Sequence, residues 1–461
     1  MAKPVKVSRS QSSSLISGAG AAVFVAVSML VISVLAYYGS QVWLQGFEDP
    51  NRASTFIFFS VLLLVFLLLS SLRYCTQIAL SFLDIWRGTP AENDPPAHDY
   101  IWPMVSIIVP VYNEGISIKA SLKALLKLDY ANYEIIVVDD GSSDQTYRLA
   151  LDVSRNSKIA IRVLTQSNGG KADALNFGVS AAAGEIVVCV DGDSLVHRNA
   201  LKPAVLHFRD DRVGAVSGCV RVLNRSKLLA RLQALEYIAG NALPKRAQNL
   251  AGVVTVVPGP LGVFRKSAIA GVGGYDLDTF AEDFDISLKI LAAGWHVSYE
   301  STALVSTEVP ETVNDLLKQR YRWTRGWVQV IKKRRWALTA PIKGPMQFFA
   351  MWFLVMDTFL WPALNVLGHI TFVVGGLASG VHEFIMLWWF QLIVFDCATA
   401  AYCVISERER HSLLWSAPFI RIFYSLFLDV TKLLSAIDEF SGVAMGWDKL
   451  QRLGSTSSKR S

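Results

Sequence analysis

The stretch that decides the fold reads Ile186-Val187-Val188-Cys189-Val190-Asp191-Gly192-Asp193-Ser194. Its apolar run predicts a strand buried on both faces of a sheet, and the strand ends at two aspartates. Open α/β sheets bind ligands at the carboxyl ends of their strands, and the glycine lets the backbone approach closely. Two carboxylates there suit a divalent cation that holds a diphosphate. Taken alone, however, the tripeptide Asp191-Gly192-Asp193 is also typical of an Asp-Gly turn.

Strands and helices alternate before this stretch. The predicted strands lie at 105–111, 134–138 and 161–164. The predicted helices lie at 116–128, at a segment that ends near 155, and at 172–183. This alternation indicates a mostly parallel α/β sheet. Because parallel strands end at one edge, Asp139-Asp140 should emerge beside Asp191 and Asp193.

Three later segments carry polar or basic side chains, and residues 252–257, which precede all three, read as a strand. Glu282-Asp283 precedes a predicted helix at 284–293, where the pair either serves a site or caps the helix. An amphipathic helix at 313–330 either lies on a membrane or contributes to a site. The basic run 332–335 stands before an apolar zone, which favours attraction to an anionic membrane leaflet.

Membrane segments flank the α/β region, in keeping with a composition that is 52% hydrophobic. The apolar runs long enough to span a bilayer lie at 15–38, 55–72, 347–377 and 384–405. Asp357 and Asp396 lie inside the last two runs, where each either serves a function or pairs with a neighbouring helix. The apolar segment 413–434 carries charges, so we expect it to be interfacial or re-entrant.

The distribution of basic residues predicts the orientation. Basic residues around the first two spans place the N-terminus and the middle region in the cytoplasm. The predicted organisation is a tail at 1–14, two spans within 15–75, a cytoplasmic domain at 100–335, membrane and interfacial helices at 345–440, and a cytoplasmic tail at 441–461.

The charge distribution indicates the class of partner, and the cysteine content indicates the redox compartment. The net charge of +6 is modest, and the basic residues gather beside apolar segments. This pattern favours membrane lipids over nucleic acid as partners. The five cysteines show neither a pairing framework nor metal-ligand spacing, which favours a reduced compartment.

Four motifs in one order carry a resemblance. They are Val105 to Gly141, Asp191-Gly192-Asp193, Glu282-Asp283 and Gln319-x-x-Arg322-Trp323. Together, between membrane spans, they resemble the processive glycosyltransferase family 2 synthases, which make cellulose, chitin, hyaluronan and poly-N-acetylglucosamine. Within this family, Pro110-x-x-Asn113-Glu114-Gly115 and Asn168-x-Gly170-Lys171-Ala172 are most similar to the bacterial poly-β-1,6-N-acetylglucosamine synthases.

The resemblance implies a fold and an activity. The fold would be a GT-A-like nucleotide-sugar-binding domain in a multi-pass protein of the inner (plasma) membrane. The activity would be inverting, processive transfer from a UDP-sugar, UDP-N-acetylglucosamine, to a growing β-linked polysaccharide that is exported. Hyaluronan, chitin and β-glucan synthesis, or a single transfer to a lipid carrier, remain as alternatives. Mg²⁺ or Mn²⁺ would be the cofactor, and a small accessory membrane subunit is a further expected partner.

The resemblance also implies residue roles. Asp140 would hold the uracil or ribose, with Lys171 in the same pocket, and Asp191 and Asp193 would bind the metal. Asp283, with Glu282 beside it, would be the general base that accepts the acceptor hydroxyl proton. Arg322 would neutralise diphosphate charge, Trp323 would stack on the acceptor sugar, and Gln319 would support that site. In one departure, Ala281 stands where the family often has Thr, which removes a possible supporting hydroxyl.

Overall fold

The computed structural model describes residues 50–97, 99–338, 345–379 and 382–443, together with Tyr37. The predicted tail at 1–14, most of the predicted span at 15–38 and the tail from 444 onwards lie outside the described residues. The chain divides into two compact units. The helical unit comprises 1–87, 238–247 and 355–441, and the sheet unit comprises 88–237, 248–354 and 442–461.

The sheet unit is built on a mixed sheet of eight strands in the order β3-β2-β1-β4-β7-β6-β8-β5. The strands are β1 Val105–Val111, β2 Tyr133–Asp139, β3 Ile161–Thr165, β4 Ile186–Cys189, β5 Leu195–Val196, β6 Val213–Val222, β7 Gly262–Arg265 and β8 His296–Thr307. Strands β1 to β4 form a parallel half, and β6 pairs in parallel with β8. Strand β7 is antiparallel to both of its neighbours.

The parallel register places the predicted carboxylates at one edge. Strand β1 pairs with β2 up to Val111 and Asp139, and with β4 up to Ile108 and Cys189. Strands β1 and β4 are buried along their whole length, which explains why they are apolar on both faces. The segments after Asp139 and Cys189 therefore leave the sheet at the same edge, as the sequence predicted.

The helices follow the predicted alternation with shifted ends. They are α1 Pro50–Arg87, α2 Pro90–Asn93, α3 Ile118–Leu125, α4 Thr146–Arg155, α5 Lys171–Ala181, α6 Leu201–Leu206, α7 Leu228–Glu236, α8 Leu243–Asn249, α9 Lys266–Gly271, α10 Glu282–Ala292, α11 Val313–Lys333, α12 Pro345–Val355, α13 Trp361–Ser379, α14 His382–Ser406 and α15 Ser425–Phe440. Helix α3 seals one face of the parallel half, where Ile118, Leu122 and Leu125 are completely buried.

The predicted strand at 252–257 is wrong. Only Val253 pairs there, in an isolated bridge to Val297. Gly252 has a φ of +66°, a left-handed conformation that breaks an extended strand. The strand in this region is instead β7, which follows the turn at Pro258.

Among the described residues, three helical segments are long and apolar enough to cross a membrane by length and composition: Val61–Arg87, Met351–Val374 and Trp389–Ser406. Helix α1 continues well beyond Leu72, where the sequence placed the end of the span. It does so because Arg73 is neutralised by Asp357, and its guanidinium lies 4.9 Å from the ring centroid of Trp361.

The two membrane aspartates pair with arginines. Asp357 binds Arg73, and Asp396 accepts two hydrogen bonds from Arg421, at 2.7 and 3.0 Å. The structure thus supports the pairing alternative for both carboxylates. Arg421 lies in a π-helix, Ile420–Tyr424, that leads into α15. The interfacial or re-entrant placement of 413–434 stays a prediction.

Candidate active site

Four charged residues meet in a depression at the carboxyl edge of the parallel strands. They are Lys171, Asp191, Glu282 and Asp283. Lys171 begins α5, Asp191 follows β4, and the two acidic residues begin α10. The sequence predicted each of these residues for the site, and the fold brings all four together.

Lys171 links the Asp191-Gly192-Asp193 motif to the Glu282-Asp283 pair. Its Nζ lies 2.7 Å from Asp191 Oδ1 and 2.8 Å from Glu282 Oε1. Although burial opposes the charged form, these carboxylates hold the pKa of the Lys171 ammonium well above its ordinary value. Lys171 therefore keeps a positive charge at the centre of the depression.

Asp140 lies one layer behind this cluster. Its carboxylate accepts hydrogen bonds from the N–H of Gly169 at 2.8 Å, from the N–H of Gly170 at 2.9 Å, and from Gln166 Nε2 at 2.9 Å. Asp140 thus fixes the turn that delivers Lys171, and Gly170 is suited to that turn because its φ is +90°. These three hydrogen bonds occupy most of the acceptor capacity of the buried Asp140 carboxylate.

The Asp-Gly-Asp motif fits a divalent cation by its chemistry. Asp191 is partly open to solvent and already binds an ammonium group through Oδ1, whereas Asp193 is buried. Carboxylate oxygens are the ligands that Mg²⁺ and Mn²⁺ prefer. Within the described part of the chain, no group of three His, Cys, Asp or Glu side chains forms a complete metal set.

Glycine at position 192 permits close packing, as expected. A Cβ there would lie 2.8 Å from Val111 Cγ1, closer than real Cβ contacts allow. The glycine therefore lets the motif pack directly on the end of β1.

Asp283 has the environment of a base. Its Oδ1 accepts the N–H of Phe284 at 2.8 Å, and its Oδ2 accepts the N–H of Gly259 at 3.2 Å. Burial in the depression, together with the neighbouring Glu282 charge, raises the pKa of Asp283 to about 6. A carboxylate with that pKa is a stronger base than an ordinary aspartate and is still ionised at neutral pH.

Sequence reasoning missed the role of Gly259. A Cβ on this residue would lie 2.6 Å from Lys171 Nζ and 3.0 Å from Asp191 Oδ2. Only glycine leaves room for the ion pair. The stretch Pro258-Gly259-Pro260 signalled a turn, but the groups that face the turn come from distant segments.

Helix α11 carries the last predicted motif. Gln319 is buried, whereas Arg322 and Trp323 are half-buried. Arg320, to which the sequence assigned no role, donates to Gln319 Oε1 and lies against the Trp323 ring. Gln319 and Trp323 are therefore joined through Arg320.

Helix α11 packs against the start of α10. A Cβ on Gly326 would lie 2.9 Å from Ala281 Cβ and 3.0 Å from the Ala281 nitrogen. The rings of Phe284 and Trp327 lie 6.0 Å apart. Close packing at Ala281 thus sets the distance between the Gln319-x-x-Arg322-Trp323 motif and Glu282-Asp283.

Two residues of the basic run at 332–335, Lys333 and Arg334, form ion pairs within the protein. Arg334 binds Asp285 through two hydrogen bonds, at 2.9 and 3.1 Å, and Asp276 through a third at 2.7 Å. Lys333 binds Asp276 at 2.6 Å. These two charges join α11 to α10 and the preceding loop, a contact that the membrane-surface interpretation did not include.

Comparison with known proteins identifies the family of this chain. The family model described as "Glycosyltransferase like family 2" matches residues 103–326. The poly-beta-1,6-N-acetyl-D-glucosamine synthase of Staphylococcus aureus (strain COL) is 38% identical over 228 residues, which is 49% of this chain and 55% of that relative. The chain thus spans about half the length of this relative. The synthase of the same name from Staphylococcus epidermidis is 31% identical over 305 residues, which is 66% of this chain and 73% of the relative.

A solved structure confirms the predicted GT-A-like fold. A mannosyltransferase from Pyrobaculum calidifontis, in complex with GDP-Man and Mn²⁺, superposes with a TM-score of 0.57 at 22% identity. The match covers 83% of this chain and all of the mannosyltransferase chain. At this identity, the likeness concerns the fold alone.

Proposed function

The chain belongs to glycosyltransferase family 2, and on that basis we propose that it is a processive, inverting glycosyltransferase. It takes the sugar of UDP-N-acetylglucosamine and adds it to a growing β-linked polysaccharide. The observation that carries this proposal is the position of Asp283. This carboxylate, with its pKa raised to about 6, lines the same depression as Lys171 and Asp191.

The donor binds around Lys171 and Asp191. Asp191 and Asp193 would hold a divalent cation, Mg²⁺ or Mn²⁺, whose positive charge would stabilise a diphosphate leaving group. Lys171 and Arg322 add fixed positive charges for the same phosphate oxygens. Asp140 orients the turn before Lys171 and offers its remaining acceptor capacity to the uracil or ribose.

Asp283 takes the proton. In its ionised form it accepts the proton of the acceptor hydroxyl as the hydroxyl oxygen bonds to the anomeric carbon and the bond to the diphosphate breaks. Gly259 and Phe284 hold the two carboxylate oxygens through backbone N–H groups. One displacement with one base inverts the anomeric centre, so an α-linked donor yields a β-linked product.

The acceptor binds at the motif on α11. The Trp323 ring offers a flat face for a sugar, and Gln319 supports it. A processive enzyme uses this motif again for each added sugar, whereas the alternative enzyme makes one transfer to a lipid carrier.

The names of the relatives favour N-acetylglucosamine as the sugar. Both are described as synthases of its β-1,6-linked polymer. Hyaluronan, chitin and β-glucan synthesis are the other candidates, because the depression contains no side chain whose chemistry alone selects an acetamido group.

Export accompanies synthesis in this proposal. The three candidate membrane helices support a multi-pass protein of the inner (plasma) membrane, and the basic residues around the first two spans support a cytoplasmic catalytic domain. The same chain, with or without a small accessory membrane subunit, passes the polymer across the lipid bilayer. In proteoliposomes with UDP-N-acetylglucosamine outside, polymer should accumulate inside; polymer that remains outside contradicts export.

Membranes that contain the protein, incubated with single UDP-sugars and Mg²⁺, test the activity. We expect polymer from UDP-N-acetylglucosamine only, digestible by a β-1,6-specific glycosidase. Asp283→Asn should make no polymer yet retain UDP binding. Asp210→Asn, which alters an exposed ion pair with Arg212, is the matched control and should behave as wild type. Polymer synthesis by Asp283→Asn, or no sugar transfer by wild type, would overturn the proposal.

A further inference from the structure

Arg320 occupies an enclosed position within the acceptor motif. Its side chain is 4% exposed, although it lies only three residues before the half-buried Trp323. A buried guanidinium must have its charge compensated, so its neighbours indicate what it is for.

Three neighbours surround this guanidinium. Nη2 donates to Glu236 Oε2 at 2.7 Å, and Nη1 donates to Gln319 Oε1 at 2.7 Å. The carbon at the centre of the guanidinium lies 4.3 Å from the centroid of the Trp323 ring. The planar group thus uses its edges for oxygen atoms and its face for the indole, which an ammonium group cannot do.

Glu236 anchors the arrangement from another element. It is the last residue of α7, whereas Arg320 and Trp323 lie on α11. The next residue, Tyr237, is buried and also hydrogen-bonds to Arg320. Burial raises the pKa of the Tyr237 phenol to about 12, and the Glu236 and Asp193 charges act in the same direction. Arg320 is therefore fixed from α7 as well as from its own helix.

This geometry distinguishes two faces of the indole. Arg320 lies over one face of the Trp323 ring, so a sugar that stacks on this ring must use the opposite face. Arg320 also holds Oε1 of Gln319, which fixes the direction in which the amide presents its NH₂ group.

We propose that Arg320 and Glu236 are positioning residues that hold Trp323 and Gln319 in the orientation that receives the acceptor sugar. Neither residue lines the depression that contains Lys171, Asp191 and Asp283. The proposal rests on the proposed function, since it assigns the acceptor to the face of Trp323 opposite Arg320. It adds Glu236, a residue outside the four motifs, to the acceptor site.

The test compares Arg320→Lys and Glu236→Gln with wild type in the full-length protein in detergent. Arg320→Lys keeps the charge but loses the planar contact with Trp323, and Glu236→Gln keeps the shape but loses the charge. The substrates are UDP-N-acetylglucosamine and a β-linked N-acetylglucosamine oligosaccharide. The readouts are KM for each substrate, kcat for elongation, product length and UDP released without transfer.

We expect elongation to fall on the order of 100-fold in both variants, since small misplacements of a reacting group have effects of that size. KM for the oligosaccharide should rise and products should shorten, while KM for the UDP-sugar stays unchanged. UDP release without transfer should persist. Asp210→Asn again serves as the control, because it alters a charge pair of the same unit on the exposed surface.

A double-mutant cycle separates positioning from simple stability. If Arg320 acts through Trp323, then Arg320→Lys in a Trp323→Phe background should cause little further loss of elongation. Additive losses, unchanged product length, or equal damage to both KM values would overturn the proposal. A wild type that transfers no sugar would contradict the proposed function instead, so the two failures are distinguishable.

Discussion

Gly259 lies so close to Lys171 that a Cβ on the glycine would sit 2.6 Å from the ammonium nitrogen. The same Cβ would also lie 3.0 Å from Asp191 Oδ2, while the N–H of Gly259 donates to Asp283. Gly259 therefore lies between the Lys171–Asp191 ion pair and Asp283, and it contacts both.

Gly259→Ala should therefore abolish most of the activity. The added methyl group displaces Lys171 from Asp191 and shifts the turn that donates to Asp283, so we expect a loss on the order of 100-fold in kcat/KM. Gly271→Ala is the matched control, because its Cβ would meet nothing within 4 Å. If Gly259→Ala and Gly271→Ala both kept the wild-type rate, the close packing at Gly259 would have no effect on activity.

The raised pKa of Asp283 predicts a pH profile. Asp283 accepts a proton only when ionised, so kcat/KM should rise with pH through about 6 and then level off. An ordinary aspartate would give a plateau already near pH 5. The profile is measured by initial rates at constant ionic strength, and a flat profile between pH 5 and 7 contradicts the assignment of Asp283 as the base.

The same pKa has a consequence for stability. Because the folded pKa lies above that of the unfolded chain, the folded state binds the proton more tightly. The stabilisation is complete below about pH 4 and is lost as pH rises through about 6. Asp283→Asn removes this pH-dependent loss, so at pH 7.5 it should unfold at a midpoint no lower than wild type, despite its inactivity. A clearly lower midpoint would indicate that the carboxylate is structural.

The sequence predicted the parts of the site that local pattern determines. The apolar runs of β1 and β4 and the parallel alternation placed Asp140 and Asp191 at one edge, because strand direction follows from the helical connections. The contact of Lys171 with Glu282 was not predictable, since these residues lie on different elements and share no local pattern. For the same reason, the sequence could not show that Gly326 packs on Ala281.

The basic run at 332–335 shows what sequence composition does not determine. A basic cluster before an apolar zone has the composition of a membrane-surface segment. Composition does not reveal that Asp276 and Asp285, which come much earlier in the chain, bind Lys333 and Arg334. Side chains within one short run therefore have different surroundings, which only the fold determines.

Arg334→Ala should destabilise the protein, because the buried Asp285 loses two hydrogen bonds and keeps only the ion pair with Lys333 at 3.4 Å. The loss of hydrogen bonds to a buried charged group costs about 1–3 kcal/mol. Arg335 is exposed, so Arg335→Ala is the control and should change stability by less than about 0.5 kcal/mol. The measurement is the thermal unfolding midpoint in detergent at one scan rate. Equal midpoints for the two variants would mean that the Arg334 pair contributes no stability.

The pair formed by Asp396 and Arg421 allows a test of what a membrane carboxylate is for. Both side chains are buried in the helical unit, and Arg421 also donates to Asn365 Oδ1 at 2.7 Å. Asp396→Asn leaves the arginine charge uncompensated, so we expect a lower unfolding midpoint and poor recovery from membranes. Arg410→Ala, at an exposed position, should have no such effect.

Replacing both partners separates pairing from function. In Asp396→Leu with Arg421→Met neither charge of this pair remains, so the unfolding midpoint should return towards that of wild type. If Asp396 serves only to neutralise Arg421, the double variant should also regain polymer synthesis in membranes. A double variant that folds and binds UDP but makes no polymer would instead show that the carboxylate acts in synthesis or export, beyond its pairing with Arg421.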